Sequence, residues 1–250
     1  MKNKKETIAA IIIVGNEILS GRTQDTNTST LSTWLNSLGV KVLEVRVIPD
    51  IEGVIVNTVN ELRVKFDYVF TTGGIGPTHD DITASSISKA LNLVYGPHDK
   101  AMSILEKYYK PGEFTEGRQK MAWMPTTANL ILNPTSGAPG FNVENIFCLP
   151  GVPSILKSML GGISHKITGG EPIISHTINL RTVESEISKS LSNVQDLNKD
   201  VEIGSYPFFK AGKLGVAIVL RSSDQSKIDK CNLEILKFVK EKKIQIIERD

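Results

Sequence analysis

The segment Ile8 to Val14, IAAIIIV, is apolar at every position. A strand with one wet face alternates apolar and polar residues, so an unbroken run of strand length needs cover on both faces. The usual solution is a parallel strand between two layers of helices. The following segments fit that demand. Thr26 to Leu38 places Leu31, Trp34, Leu35 and Leu38 at i, i+3, i+4 and i+7, one face of a helix. Val40 to Ile48 reads as a second strand, Pro49-Asp50 opens a helix with Ile55, Val59, Leu62 and Phe66 on one side, and Tyr68 to Thr72 reads as a third strand. After a Gly-rich turn, Ile87, Ala90, Leu91 and Val94 mark another helix, closed by Gly96-Pro97. This βαβαβα order predicts an α/β fold: a three-layer α/β/α arrangement around a mostly parallel sheet, with right-handed crossovers.

Further along, Ala101 to Tyr109 reads as a helix and Pro111 to Gly117 as a loop. Strands are predicted at Leu130 to Leu132 and Asn145 to Leu149, before a helix carrying Val152, Ile155, Leu156, Met159 and Leu160. Thr168-Gly169-Gly170-Glu171-Pro172 is the densest cluster of breakers beyond that point and sets a boundary between domains at 1–167 and 168–250. The second part changes grammar. Ile173 to Leu180, Val201 to Ser205, Leu214 to Leu220 and Ile244 to Ile247 read as strands, and Glu184 to Val194 and Ser226 to Lys240 as helices. That βαββαβ order predicts a small ferredoxin-like α+β domain.

Composition narrows the function classes. With 29 Lys and Arg against 27 Asp and Glu, a net charge of +2, no global field draws the chain to nucleic acid or an anionic membrane. No segment approaches the ~18–20 apolar residues of a membrane span, and Thr7 to Val14 lacks the small-residue cleavage site of a signal peptide, so a cytoplasmic protein is expected. Cys148 and Cys231 form no ligand pattern and are expected to be core residues.

The densest chemical signal is Thr71-Thr72-Gly73-Gly74-Ile75-Gly76-Pro77-Thr78-His79-Asp80-Asp81-Ile82-Thr83, between a strand and a helix. Such positions bind ligands in open α/β sheets. Gly73, Gly74 and Gly76 allow backbone N–H groups close to an anion, and the following helix adds a favourable dipole. The loop lacks the Gly-Lys-Ser/Thr of a P-loop, and His79 stands where a dinucleotide fingerprint needs glycine. Asp81 alone suits a helix N-cap, but a second acid, Asp80, is better explained by a divalent cation such as Mg²⁺ or Mn²⁺ beside a phosphate. Thr78 and His79 fall in the same loop as ligand contacts.

Other strand ends add polar groups. Gly15 to Asn27 is a long loop in which Glu17 and Asp25 suit a metal or sugar hydroxyls and Asn27 a base or ribose, with Asp25 or Thr26 alternatively capping the next helix. Asp50 follows the second strand, where it also suits an N-cap. Glu116 to Ala122 reads as a basic loop whose Arg118 or Lys120 clamps a phosphate, or as a solvated turn. Ser136-Gly137-Ala138-Pro139-Gly140-Phe141 and Pro150-Gly151-Val152-Pro153 are rigid turns, the second ahead of a helix N-terminus that suits a further anion.

Together, Ile13 to Gly21, Asp25-Thr26-Asn27, Thr71 to Thr83, Glu116 to Ala122, Ala138-Pro139-Gly140-Phe141 and Leu149 to Pro153 resemble the N-terminal domain of the competence/damage-inducible protein A (CinA) family, within the molybdopterin-binding, MoaB/Mog-like superfamily. The likeness spans about residues 7 to 160. Glu184 to Ile187 and Ile203 to Pro207 are similar to segments that follow this domain in CinA-like proteins and in eukaryotic FAD synthase. The resemblance implies a nucleotide or pterin phosphate ligand, metal-dependent hydrolysis of pyrophosphates such as ADP-ribose or FAD, and a homo-oligomer, dimer or trimer. On that reading Asp81, Asp80 and Asp50 are catalytic, and Asp80, Asp81 and Asp25 hold the metal. Gly73, Gly74, Gly76, Thr78, Glu17, Asn27, Arg118, Lys120 and Gly137 contact the substrate. A non-catalytic pterin or nucleotide binder and a molybdopterin adenylyltransferase are the alternatives. Amidase activity, which full-length CinA carries in a further domain, is not expected from a sequence ending at Asp250.

Overall fold

The computed structural model describes residues 6–210 and 212–247. The chain divides into two compact units, the first ending at Gly170 and the second beginning at Glu171, inside the cluster of breakers. In the first unit β1 (Thr7–Val14) leads through a short helix α1 (Asn16–Leu19) to α2 (Asn27–Ser37) and β2 (Val40–Ile48). Helix α3 (Glu52–Lys65), β3 (Tyr68–Thr72) and α4 (Thr83–Ala90) follow. Next come β4 (Tyr95–Pro97), α5 (Asp99–Tyr108), α6 (Glu116–Lys120), β5 (Trp123–Pro125) and β6 (Asn129–Ile131). Strands β7 (Gly140–Val143) and β8 (Ile146–Leu149), helix α7 (Pro153–Leu160) and a 3-10 helix (Gly161–Lys166) complete the unit.

The main sheet has the order β2-β1-β3-β8-β7-β6, parallel from β2 to β8, with β7 antiparallel to both of its neighbours. The apolar run of β1 is used on both faces. Ala10, Ile12 and Val14 join one buried cluster with Ile55, Val59 and Leu62 of α3 and Ile87 of α4. Ala9, Ile11 and Ile13 join another with Leu31 and Leu35 of α2 and Leu156 and Leu160 of α7. Burying each of the larger aliphatic side chains contributes ~1.5–3 kcal/mol, which is why the buried stretch Ala9 to Val14 carries no polar residue. In the second cluster Phe70 stacks on Phe147 at 5.0 Å and meets the edge of Trp34 at 5.8 Å.

Several short elements depart from the sequence-based expectation. The helix expected to reach Val94 ends at Ala90, because Asn92 turns into the left-handed region at φ 54°. Gly96-Pro97 then pairs in β4 with β5 instead of merely closing a helix, and the basic loop at 116–122 is largely the helix α6. Strands β4, β5 and β7 carry Gly96, Pro97, Pro125 and Gly140, residues that read as breakers, and their pairing partners supply the order.

The second unit runs β9 (Ile174–Arg181), α8 (Glu184–Leu197), β10 (Glu202–Lys210), β11 (Lys213–Ser222), α9 (Gln225–Glu241) and β12 (Gln245–Ile247). Its antiparallel sheet has the order β10-β11-β9-β12, the arrangement of a ferredoxin-like unit. Leu180, Val216, Ile218 and Leu220 from the sheet pack on Ile187 of α8 and on Ile228, Ile235 and Val239 of α9. Among the described residues no helix is long and apolar enough to cross a membrane.

Both cysteines are buried and free. Burial pushes the Cys148 thiol up to about 12 and the Cys231 thiol up to about 11. Only the thiolate is reactive, so iodoacetamide at about pH 8 is expected to leave both unmodified in the native chain and to label both in concentrated guanidinium. Mass spectrometry checks this, and rapid labelling of the native protein would mean that these cores open.

Candidate functional site

The strand order makes the boundary between β1 and β3 a switch point. From β1 the chain passes through α2, on one face, to the outer strand β2; from β3 it enters α4, on the other face, and returns at β8. The loops after β1 and β3 therefore part and leave a crevice beyond the carboxyl ends of the strands, the place where doubly wound sheets bind ligands.

Polar contacts tie the loops together there. Asp50 Oδ2 accepts the Asn16 N–H at 2.8 Å, joining the end of β2 to the end of β1. Asn27 Nδ2 donates to Thr72 Oγ1 at 2.8 Å and to Gly151 O at 2.7 Å, and Thr72 Oγ1 donates to Pro150 O at 3.0 Å. Asn27 is buried, and its Oδ1 has no hydrogen-bond partner among the described residues. Asp25 acts as the cap of α2: its Oδ1 accepts the N–H groups of Asn27 at 2.9 Å and Thr28 at 3.3 Å. The Glu17 carboxylate folds back over Gly15, where an added Cβ would lie 2.7 Å from it.

Two of the loop glycines are required by packing within the protein itself. At Gly73, φ +100°, a Cβ would lie 2.2 Å from Val14 O, and at Gly74, φ +68°, 2.2 Å from Thr83 Oγ1. The Gly73 N–H donates to Leu149 O at 3.2 Å. The N–H groups of Gly74, Ile75 and Gly76 donate to no acceptor among the described residues. A row of unengaged amides ahead of a helix suits a phosphate oxygen.

Asp81 does not cap α4. Its Oδ2 accepts from the Thr78 N–H at 2.8 Å and from the Thr78 hydroxyl, closing the loop on itself beneath Gly76. The nearby Thr78 side chain and the local backbone amide hold the Asp80 carboxyl below the usual carboxylate range, so Asp80 remains an anion at neutral pH. Asp80 and His79 project into solvent. Lys120 reaches across from α6 and donates to Thr78 O. The acids do not close into a cation cage: among the described residues no group of three or more His, Cys, Asp or Glu is placed to hold a metal.

Two predicted contacts are engaged elsewhere. Arg118 donates to Glu113 O and lies 4.2 Å over the ring of Tyr109. Gly137, φ +75°, is packed so that a Cβ would meet the Tyr108 ring at 2.7 Å. Conversely, two residues without a role in the sequence reading stand at the site. Tyr95 and Trp123 line a small cleft together with Gly76, Asp81 and Lys120. The only advance signal was a lone tryptophan shortly after the basic segment. The second unit has a larger opening, about 690 Å³, lined by His176, Asn179, Asn232 and Leu236, which brings no acid or glycine loop together.

Residues 10–169 match the family described as "Probable molybdopterin binding domain" and residues 172–248 match "FAD synthase, middle domain". The chain is 33% identical over 233 residues to a protein of Archaeoglobus fulgidus, covering 93% of this chain and 98% of that one. It is 36% identical over 210 residues to a protein of Pyrobaculum calidifontis, covering 80% of each. It is also similar to the crystal structure of a CinA protein of unknown function from Thermoplasma acidophilum, with 32% identity and a TM-score of 0.61 over 64% of this chain and 98% of the other.

The crowding around Gly73 predicts that Gly73→Ala loses at least about 2 kcal/mol of stability, through strain and the clash with Val14 O. Asn27→Ala, which strips Gly151 O of its buried donor, should lose about 1–3 kcal/mol. Urea unfolding measures both, and native-like stability in either variant would show that the loops do not depend on these contacts.

Proposed function

Because this chain belongs to the molybdopterin-binding domain family and is similar in structure to a CinA protein, we propose that its first unit is a metal-dependent nucleotide pyrophosphatase acting on ADP-ribose, FAD or a similar dinucleotide. The observation that carries the reading is the unengaged Gly74–Gly76 amides beside Asp80, Asp81 and Lys120 at the β1/β3 switch point. In this reading the amides bind and orient the diphosphate oxygens, and the Lys120 ammonium leaves Thr78 O to neutralise them. Asp81 keeps the loop in shape through Thr78. Asp50, with one oxygen held by Asn16, has the other open to accept a proton from the attacking water.

The donor set fits a cation shared with the substrate. Mg²⁺ is commonly held by one or two carboxylates, with phosphate oxygens and water completing its shell, and Asp80 and Asp81 supply that number. Bound there, a divalent ion would stabilise the charge that develops on the phosphoryl oxygens. The match of residues 172–248 to an FAD synthase middle domain favours a flavin or adenine dinucleotide over a free pterin.

The absence of a three-ligand cage among the described residues supports a second reading, a module that binds the nucleotide without turning it over. Hydrolysis assays on ADP-ribose and FAD separate the two. Turnover should require added Mg²⁺ or Mn²⁺ and vanish with EDTA, and Asp81→Asn and Lys120→Ala should each lower kcat/KM by about 10- to 100-fold. Tight binding with no turnover across a panel of metals would establish the second reading, and an unchanged rate in Asp81→Asn would remove that acid from the site.

A further inference from the structure

Strand alternation sorts the residues of β5. Met124 points into the first core cluster and is 1% exposed, so its neighbour Trp123 must face the other way. Trp123 lies opposite Pro97, and Pro125 opposite Tyr95, which makes Tyr95 and Trp123 diagonal neighbours on one face of the β4–β5 pair. Their rings meet at 5.6 Å with an interplanar angle of 56°. Tyr95 is partly buried against the core, whereas Trp123 leaves 40% of its surface in water. The indole thus packs on Tyr95 and keeps part of its surface open to a ligand.

What shares the cleft with this ring is the phosphate-binding apparatus. Gly76, Asp81 and Lys120 line it together with Tyr95 and Trp123, and Lys120 precedes Trp123 by three residues, so α6 and β5 deliver a cation and an aromatic face to the same opening. We propose that Trp123, backed by Tyr95, is the platform on which the planar heteroaromatic ring of the nucleotide stacks while its diphosphate lies along the Gly74–Gly76 amides. This rests on the pyrophosphatase reading and deepens it: the substrate class is one with a purine or flavin ring attached to a diphosphate, and the ring supplies selectivity against inorganic pyrophosphate and sugar diphosphates. Base stacking on an aromatic side chain contributes ~1–3 kcal/mol, a factor of about 5 to 150 in affinity.

The test uses the whole chain and its two tryptophans, Trp34 and Trp123. In Trp34→Phe, which keeps an aromatic ring against Phe70, Trp123 is the only indole, and ADP or ADP-ribose should quench its emission while inorganic pyrophosphate, followed by calorimetry, binds without quenching. Trp123→Ala should raise the Kd and KM for ADP-ribose by about 5- to 150-fold, leave the affinity for inorganic pyrophosphate in place, and be largely rescued by Trp123→Phe. Circular dichroism confirms that each variant is folded. Unchanged ADP-ribose binding in Trp123→Ala overturns the platform and leaves the pyrophosphatase reading standing. Failure of the unmodified chain to bind either ADP-ribose or inorganic pyrophosphate overturns both.

Discussion

The carboxyl edge of the main sheet depends on the absence of a side chain at Gly73. A Cβ there would sit 2.2 Å from the Val14 carbonyl, and the Cα of Gly73 lies 3.3 Å from where a Cβ on Gly151 would stand. The ends of β1, β3 and β8 are thus brought to contact distance. That closeness lets a single amide, Asn27, donate both to Thr72 and to Gly151 and so join α2 to two strand ends. Any side chain at Gly73 would push these loops apart, and the floor of the crevice with them.

The glycine loop therefore answers two demands at once. Packing against Val14 and Thr83 explains Gly73 and Gly74, while the amides from Gly74 to Gly76 remain without protein acceptors. A chain with a net charge of +2 has no global field to gather an anion, so an anion bound at the proposed site would rely on this local cradle and on Lys120. Asp81, which reads from sequence as a helix cap or a metal ligand, is held by Thr78 within the loop, and Asp80 is left to face solvent as an anion.

Much of the framework was legible in the sequence. The apolar run of β1, the helical spacing of Leu31, Leu35, Ile55, Val59 and Leu62, and the βαββαβ order after residue 170 all correspond to elements whose pattern repeats often enough to be read. The short strands β4, β5 and β7 were not legible, because their glycines and prolines read as breakers and the strands exist only by pairing across distance. Within the site, the sequence separated neither Arg118 from Lys120 nor Asp25 from Asp80. Arg118 is drawn to Tyr109 and Glu113, and Asp25 to the first turn of α2, by partners that local spacing does not show.

Local chemistry alone thus determined the longer strands and helices, and that a glycine-rich loop with adjacent acids follows the third strand. Those outcomes depend on side-chain periodicity and backbone freedom over a few residues. Tertiary structure decided which polar groups remain available at the crevice. It occupied Asp25, Arg118 and Gly137 with partners of their own, turned Asp81 toward Thr78, and placed Trp123 beside Lys120 and the loop. The physical reason is that a hydrogen bond, an ion pair or a ring contact is settled by distance in space, and β-pairing between residues about thirty positions apart brings Tyr95 and Trp123 to one face.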